Sequence, residues 1–159
     1  MEYENTPVES TTATQGLVID RIFTKPELSV YDMIEYDNRN STIRNPDGSV
    51  VFDMQNVEVP TSWSQIATDI LAQKYFRKAG VPEVESENSI KQVVHRLVGC
   101  WTDWGTKFGY FNSTKDSKSF YEEMAFILLN QMGAPNSPQW FNTGLKYAYG
   151  ITGNPQGHY

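Results

Sequence analysis

Gly133-Ala134-Pro135-Asn136-Ser137-Pro138-Gln139-Trp140-Phe141-Asn142-Thr143-Gly144 divides this chain, closing a long helical pattern and opening a segment with different rules. Two prolines three positions apart deny helix to the residues before them, so the Asn-Ser-Pro core is expected to be extended. Trp140 and Phe141 suit a buried strand or a first turn, with Asn142 and Gly144 as punctuation. The expected product is a stiff segment, polar at its tip and aromatic behind. A serine hydroxyl on proline-fixed backbone suits gripping a phosphate or ribose at low ordering cost. The ordinary alternative for Ser137 is a capping or turning residue at a junction.

Upstream of this divide, three apolar stripes at helical spacing point to a helical domain. The third carries Phe120, Tyr121, Met124, Ala125, Ile127, Leu128 and Met132 and stops at Gly133 and Pro135. The second starts near Asn88 and carries Ile90, Val93, Val94, Leu97, Val98, Trp101, Trp104 and Phe108; it is the strongest periodic signal in the chain. In the first, Ser62 and Gln65 make a capping box, and Trp63, Ile66, Ala67, Ile70 and Leu71 form the stripe. Gly80 is placed as its left-handed terminator and Pro82 prevents continuation. Before the helices, Thr42-Ile43-Arg44, Asn45-Pro46-Asp47-Gly48 and Ser49 to Met54 read as strand, turn and strand. Val50, Phe52 and Met54 are expected to share the face that packs on the helices. Beyond Asn142, residues 145–149 have the composition for one or two helical turns before the chain dissolves into loop.

At 159 residues the chain has the length of about one domain. Thirteen basic residues scattered among nineteen acids, a net charge of -6, argue against a face for polymeric nucleic acid. One cysteine excludes an intrachain disulfide, and with two distant histidines it gives no convincing zinc site. The first residues lack a basic start and apolar run, and no apolar stretch approaches bilayer length, so no membrane association and a cytoplasmic location are expected. Residues 1–16, rich in Thr, Ser and Glu, read as a disordered lead-in or a strap ordered by contact with a partner.

Cys100 reads as a semi-buried helical cysteine, because nothing around it advertises the electropositive setting of a reactive thiol. His95 lies beside the second stripe and reads as boundary packing. His158 stands in a terminal loop, where an exposed tail residue and a site residue are both open readings. Trp63, Trp101 and Trp104 fall on stripes and read as core, whereas Trp140 sits beside Ser137.

The run from Asn136 to Gly144 resembles the Asn-Ser-Pro-x-Trp-Phe-Asn-x-Gly entry to the barrel of the adenosylcobalamin-dependent (class II) ribonucleotide reductases. Val59-Pro60-Thr61-Ser62-Trp63-Ser64-Gln65-Ile66-Ala67-Thr68, Lys74-Tyr75-Phe76-Arg77, Trp104-Gly105, Gly109-Tyr110-Phe111 and Gln156-Gly157-His158-Tyr159 resemble other family segments in the same order. The similarity runs from about Arg21 to Tyr159. It implies a mainly α fold with a small β-hairpin over residues 17–133, leading at 134–159 into the first segment of an α/β ten-stranded barrel. It further implies a place for Ser137, Asn136 and Trp140 at a ribonucleotide substrate, a dithiol reductant, and adenosylcobalamin bound by the complete enzyme. The family's catalytic cysteines and glutamate carry over to no residue here, so this chain alone is expected to be inactive. The remainder of the barrel is then its partner, in the same or a separate chain. A non-catalytic helical scaffold derived from the reductase fold is the alternative, since fold alone does not decide function.

Overall fold

Pro46-Asp47-Gly48 turns the chain between two antiparallel strands, β1 (Tyr36–Arg44) and β2 (Val50–Pro60), with Gly48 at φ +86°. The computed structural model describes residues 15–154, so the expected lead-in, apart from Gln15 and Gly16, and His158 lie outside the described residues. The hairpin is longer than its turn-proximal residues suggested, and its inward face is built differently. Arg39 pairs with Val57 but Ser41 with Met54, so β2 carries one extra residue, and Asn56 there takes φ +57°. Such a bulge reverses the alternation of side chains along its strand. Val57 and Val59 thereby reach the core beside partly buried Phe52 and Met54, while Val50 stays exposed. Without the extra residue, the polar Asn56 and Glu58 would take those inward positions.

The first helix is shorter than expected and differently phased. Ser64 caps it by accepting from the Ala67 amide, α1 spans Gln65–Ile70, and a wide π-helical turn continues through Leu71–Tyr75. Trp63 therefore precedes the helix, and the wide turn shifts the buried side to Leu71, Ala72 and Phe76. Ile66 and Ile70, expected inside, are 72% and 42% exposed. The indole of Trp63 is buried and its Nε1 donates to the Leu129 carbonyl at 2.8 Å.

The long α2 (Ile90–Lys107) begins with a capping box between Ser89 and Gln92. Ile90, Val93, Val94, Leu97 and Val98 are fully buried, as their spacing predicts. The stripe then leaves the core, because Trp104 is 50% and Phe108 70% exposed. α3 (Thr114–Leu129), capped by Ser113, packs along α2 through Ala125, Leu128 and Leu129.

Another side of α3 holds the strap of residues 17–30 through carboxylates, which the sequence did not reveal. Asp116 accepts from the Ile19 amide at 2.9 Å and Glu122 from the Val30 amide at 2.7 Å. Glu123 accepts from the amides of Phe23 and Thr24 and from the Thr24 hydroxyl. Burial pushes the Glu123 carboxyl up, but the hydroxyl and amide donors outweigh it and the net pKa is lowered. A depressed folded-state pKa means stabilisation that is present above the ordinary glutamate value, about 4.3, and lost as pH falls through the folded value. Amide protection of Phe23 and Thr24 is therefore expected to be lost as pH falls through the depressed Glu123 value, while that of α2 persists. Equal loss in both would show that Glu123 does not hold the strap.

Candidate functional site

After α3 the chain makes two short helices, α4 (Ser137–Asn142) and α5 (Leu145–Tyr149). The expectation of an extended Asn-Ser-Pro core is corrected here. Only Asn136 is extended, at φ -68° and ψ 161°, and helix begins at Ser137. Pro138 is accommodated because the first turn of a helix has no acceptor for its missing N–H. Among the described residues no strand follows β2.

α4 places the three candidate residues in different settings. Asn136 is exposed, Ser137 is half-buried, and Trp140 is buried at 8% exposure. Ser137 and Trp140 meet at one neighbour, Tyr75 of the π-helical turn. The two hydroxyls lie 3.0 Å apart, and the Tyr75 ring stacks on Trp140 with centroids separated by 5.7 Å.

What fixes α4 is an ion pair that sequence reasoning missed. Arg96 and Glu87 are both fully buried, with Nε to Oε1 at 2.7 Å. Arg96 also donates to the carbonyls of Trp140 at 2.7 Å, Thr143 at 2.9 Å and Tyr75 at 3.2 Å. Glu87 accepts in addition from the Arg77 amide at 2.7 Å and the Tyr149 hydroxyl at 2.8 Å. Two buried charges thus satisfy one another and the loose carbonyl ends of α4 and the π-helical turn. The available signal was phase, since Arg96 lies three residues after Val93 and four before Cys100 on the buried side of α2.

Gly144 closes the arrangement. It is left-handed at φ +80°, and an added Cβ would stand 1.8 Å from the Arg96 carbonyl oxygen. The bend between α4 and α5 therefore rests directly on the α2 backbone.

The family model described as class II vitamin B12-dependent ribonucleotide reductase matches residues 37–131, from β1 to just beyond α3. The chain belongs to this reductase family. It is 51% identical to the vitamin B12-dependent ribonucleotide reductase of Bradyrhizobium diazoefficiens over 173 aligned residues. The protein of that name in Agrobacterium fabrum is 45% identical over 173, and that in Streptomyces clavuligerus 40% over 138. These alignments cover 89%, 89% and 86% of this chain but 14% of each relative, so the chain spans about a seventh of their length.

Elsewhere in the chain, Cys100 and His95 take the ordinary settings read from sequence. Cys100 is buried, and burial and Asp103 push its thiol pKa up. His95 lies at the exposed edge of α2, bonded through Nδ1 to the Tyr121 hydroxyl at 2.8 Å, and desolvation lowers its pKa. No group of three or more His, Cys, Asp or Glu side chains is placed to hold a metal among the described residues. No described helix is long and apolar enough to cross a membrane. A cleft of about 640 Å³ lies between α2 and the α4–α5 bend, lined by Cys100, Trp104, Thr143 and Tyr147 among others.

Proposed function

We propose that this chain is the N-terminal part of a cytoplasmic, adenosylcobalamin-dependent enzyme that reduces ribonucleotides to deoxyribonucleotides for DNA synthesis by thiyl-radical chemistry. Residues 17–133 form its helical module with the hairpin, and residues 134–159 enter the ten-stranded barrel, with 1–16 as lead-in. The remainder of the barrel, a ribonucleoside diphosphate substrate and a dithiol reductant are its partners. Radical chemistry of this kind belongs to the cofactor, and the protein's part is binding and orientation.

Ser137, Asn136 and Trp140 are the substrate-side residues in this reading. The observation that carries it is the locking of α4 by Arg96, which presents the Ser137 hydroxyl from a backbone with little freedom left to lose. Ser137 donates to a ribose or phosphate oxygen, Asn136 stands exposed beside it, and Trp140 backs the site through Tyr75.

Ser137→Ala in the complete enzyme removes one hydrogen bond of about 0.5–1.5 kcal/mol, more if the oxygen is charged. The expected result is a few-fold to about tenfold loss in kcat/KM for the nucleotide, with a smaller change in stability. Lowered stability at unaltered kcat/KM would leave Ser137 as a partner of Tyr75 only and favour a scaffold over a substrate contact.

A further inference from the structure

Arg77 and Lys146 line one cleft of about 480 Å³, bounded by Asn142, Leu145 and residues 151–154, and none of the described residues lining it is a carboxylate. This departs from the rest of the chain, where acids outnumber bases nineteen to thirteen. Arg39, Lys91, Arg96 and Lys107 each pair with a carboxylate. Arg77 and Lys146 form no ion pair among the described residues.

Arg77 is nevertheless held. Its amide donates to buried Glu87 at 2.7 Å and its Nε to the Ala79 carbonyl at 2.8 Å. Its two terminal nitrogens have no hydrogen-bond partner among the described residues, so the guanidinium, tethered at Nε, presents their N–H groups. Lys146 is exposed on α5 and contributes a mobile point charge to the same space. An adjoining smaller cleft shares Arg77 and adds Lys74 and Lys78, which extends the positive field. Like charges lining one concavity are relieved by an anion between them, and a low-dielectric wall strengthens that attraction.

We propose that this cleft binds the diphosphate group of a small anionic ligand. Arg77 grips its oxygens through two parallel N–H donors and Lys146 neutralises the remaining charge. Thr152 and Asn154 at the rim supply neutral polar groups. Ser137 does not line this cleft, and the proposal does not depend on the role given to that serine. A free pyrophosphate and a nucleoside diphosphate carry the same recognised chemistry.

The purified chain is titrated separately with pyrophosphate, ADP and adenosine, with binding read by calorimetry and amide shifts. Saturable binding of both anions is expected, weakening with added salt and by about tenfold or more in Arg77→Gln and Lys146→Gln. Equal affinity for pyrophosphate and ADP identifies a plain diphosphate site, and tighter ADP binding with none for adenosine identifies a nucleotide site. Lys146 is exposed, so Lys146→Gln keeps the fold and decides the matter even where Arg77→Gln is destabilised. Absence of saturable binding by either anion, or full affinity in folded Lys146→Gln, would overturn the proposal.

Discussion

Gly144→Ala is expected to lose about 3 kcal/mol or more of stability and to lift the α4–α5 bend off α2. Two effects add. A left-handed conformation costs alanine about 1–2 kcal/mol, and overpacking adds about 1–3 kcal/mol, occasionally more. The collision here is severe, because the new Cβ meets the carbonyl oxygen and carbon of Arg96 at 1.8 and 2.4 Å. Those are backbone atoms of a capped helix in which Arg96, Leu97 and Val98 are fully buried, so the bend must move instead. Moving it withdraws the Trp140 and Thr143 carbonyls from Arg96. Gly150→Ala is the control, since Gly150 is also left-handed, at φ +69°, but has open space where the Cβ would go. Denaturant melts are expected to show only the strain there, about 1–2 kcal/mol. Equal losses at the two positions would mean that the bend does not press on α2.

Arg96→Met is expected to cost about 3–5 kcal/mol, the range for removing one partner of a buried ion pair. The replacement fills much of the volume but leaves the Glu87 carboxylate without its cation and three carbonyls without their donor. Glu87→Leu is expected to be severe for the reciprocal reason. The double replacement is expected to cost clearly less than the two singles together, because neither charge is then left alone. It does not restore full stability, since the carbonyls of Tyr75, Trp140 and Thr143 still lack a donor. Strict additivity in a double-mutant cycle would show that the two side chains act independently. If Ser137 has the substrate role proposed above, both single variants also lower kcat/KM in the complete enzyme, because α4 loses the clamp that orders it.

The parts legible in the sequence were those set by local rules. The apolar spacing of Ile90, Val93, Val94, Leu97 and Val98 gave the buried face of α2, and Pro46-Asp47-Gly48 gave the turn. What escaped depended on partners far away in the chain. The bulge at Asn56 shows itself only when β2 is laid against β1. Ile66 and Ile70 fit a helical stripe, yet the cap at Ser64 and the wide turn after Ile70 put other residues inward. Trp104 and Phe108 continue the α2 pattern past the end of the core, where periodicity carries no information about what lies opposite. In the candidate site, Ser137 and Trp140 were visible as residue types beside prolines. Arg96 was not, since a charged residue is ordinarily read as solvated, and its acid partner lies outside the helix in the preceding segment.

The carboxylate-held strap also has a consequence in time. Residues 19–24 leave the ribosome long before Asp116 and Glu123, the acceptors 97–100 positions later. At about 5–20 residues per second, that gap lasts roughly 5–20 seconds. During it the hairpin, and towards its end α2, become available for pairing and collapse, while Phe23 must wait for α3. The earliest described segment to be synthesised is thus among the last to find its place. A nascent chain stalled before Glu123 is where a hydrophobic-binding chaperone would find it.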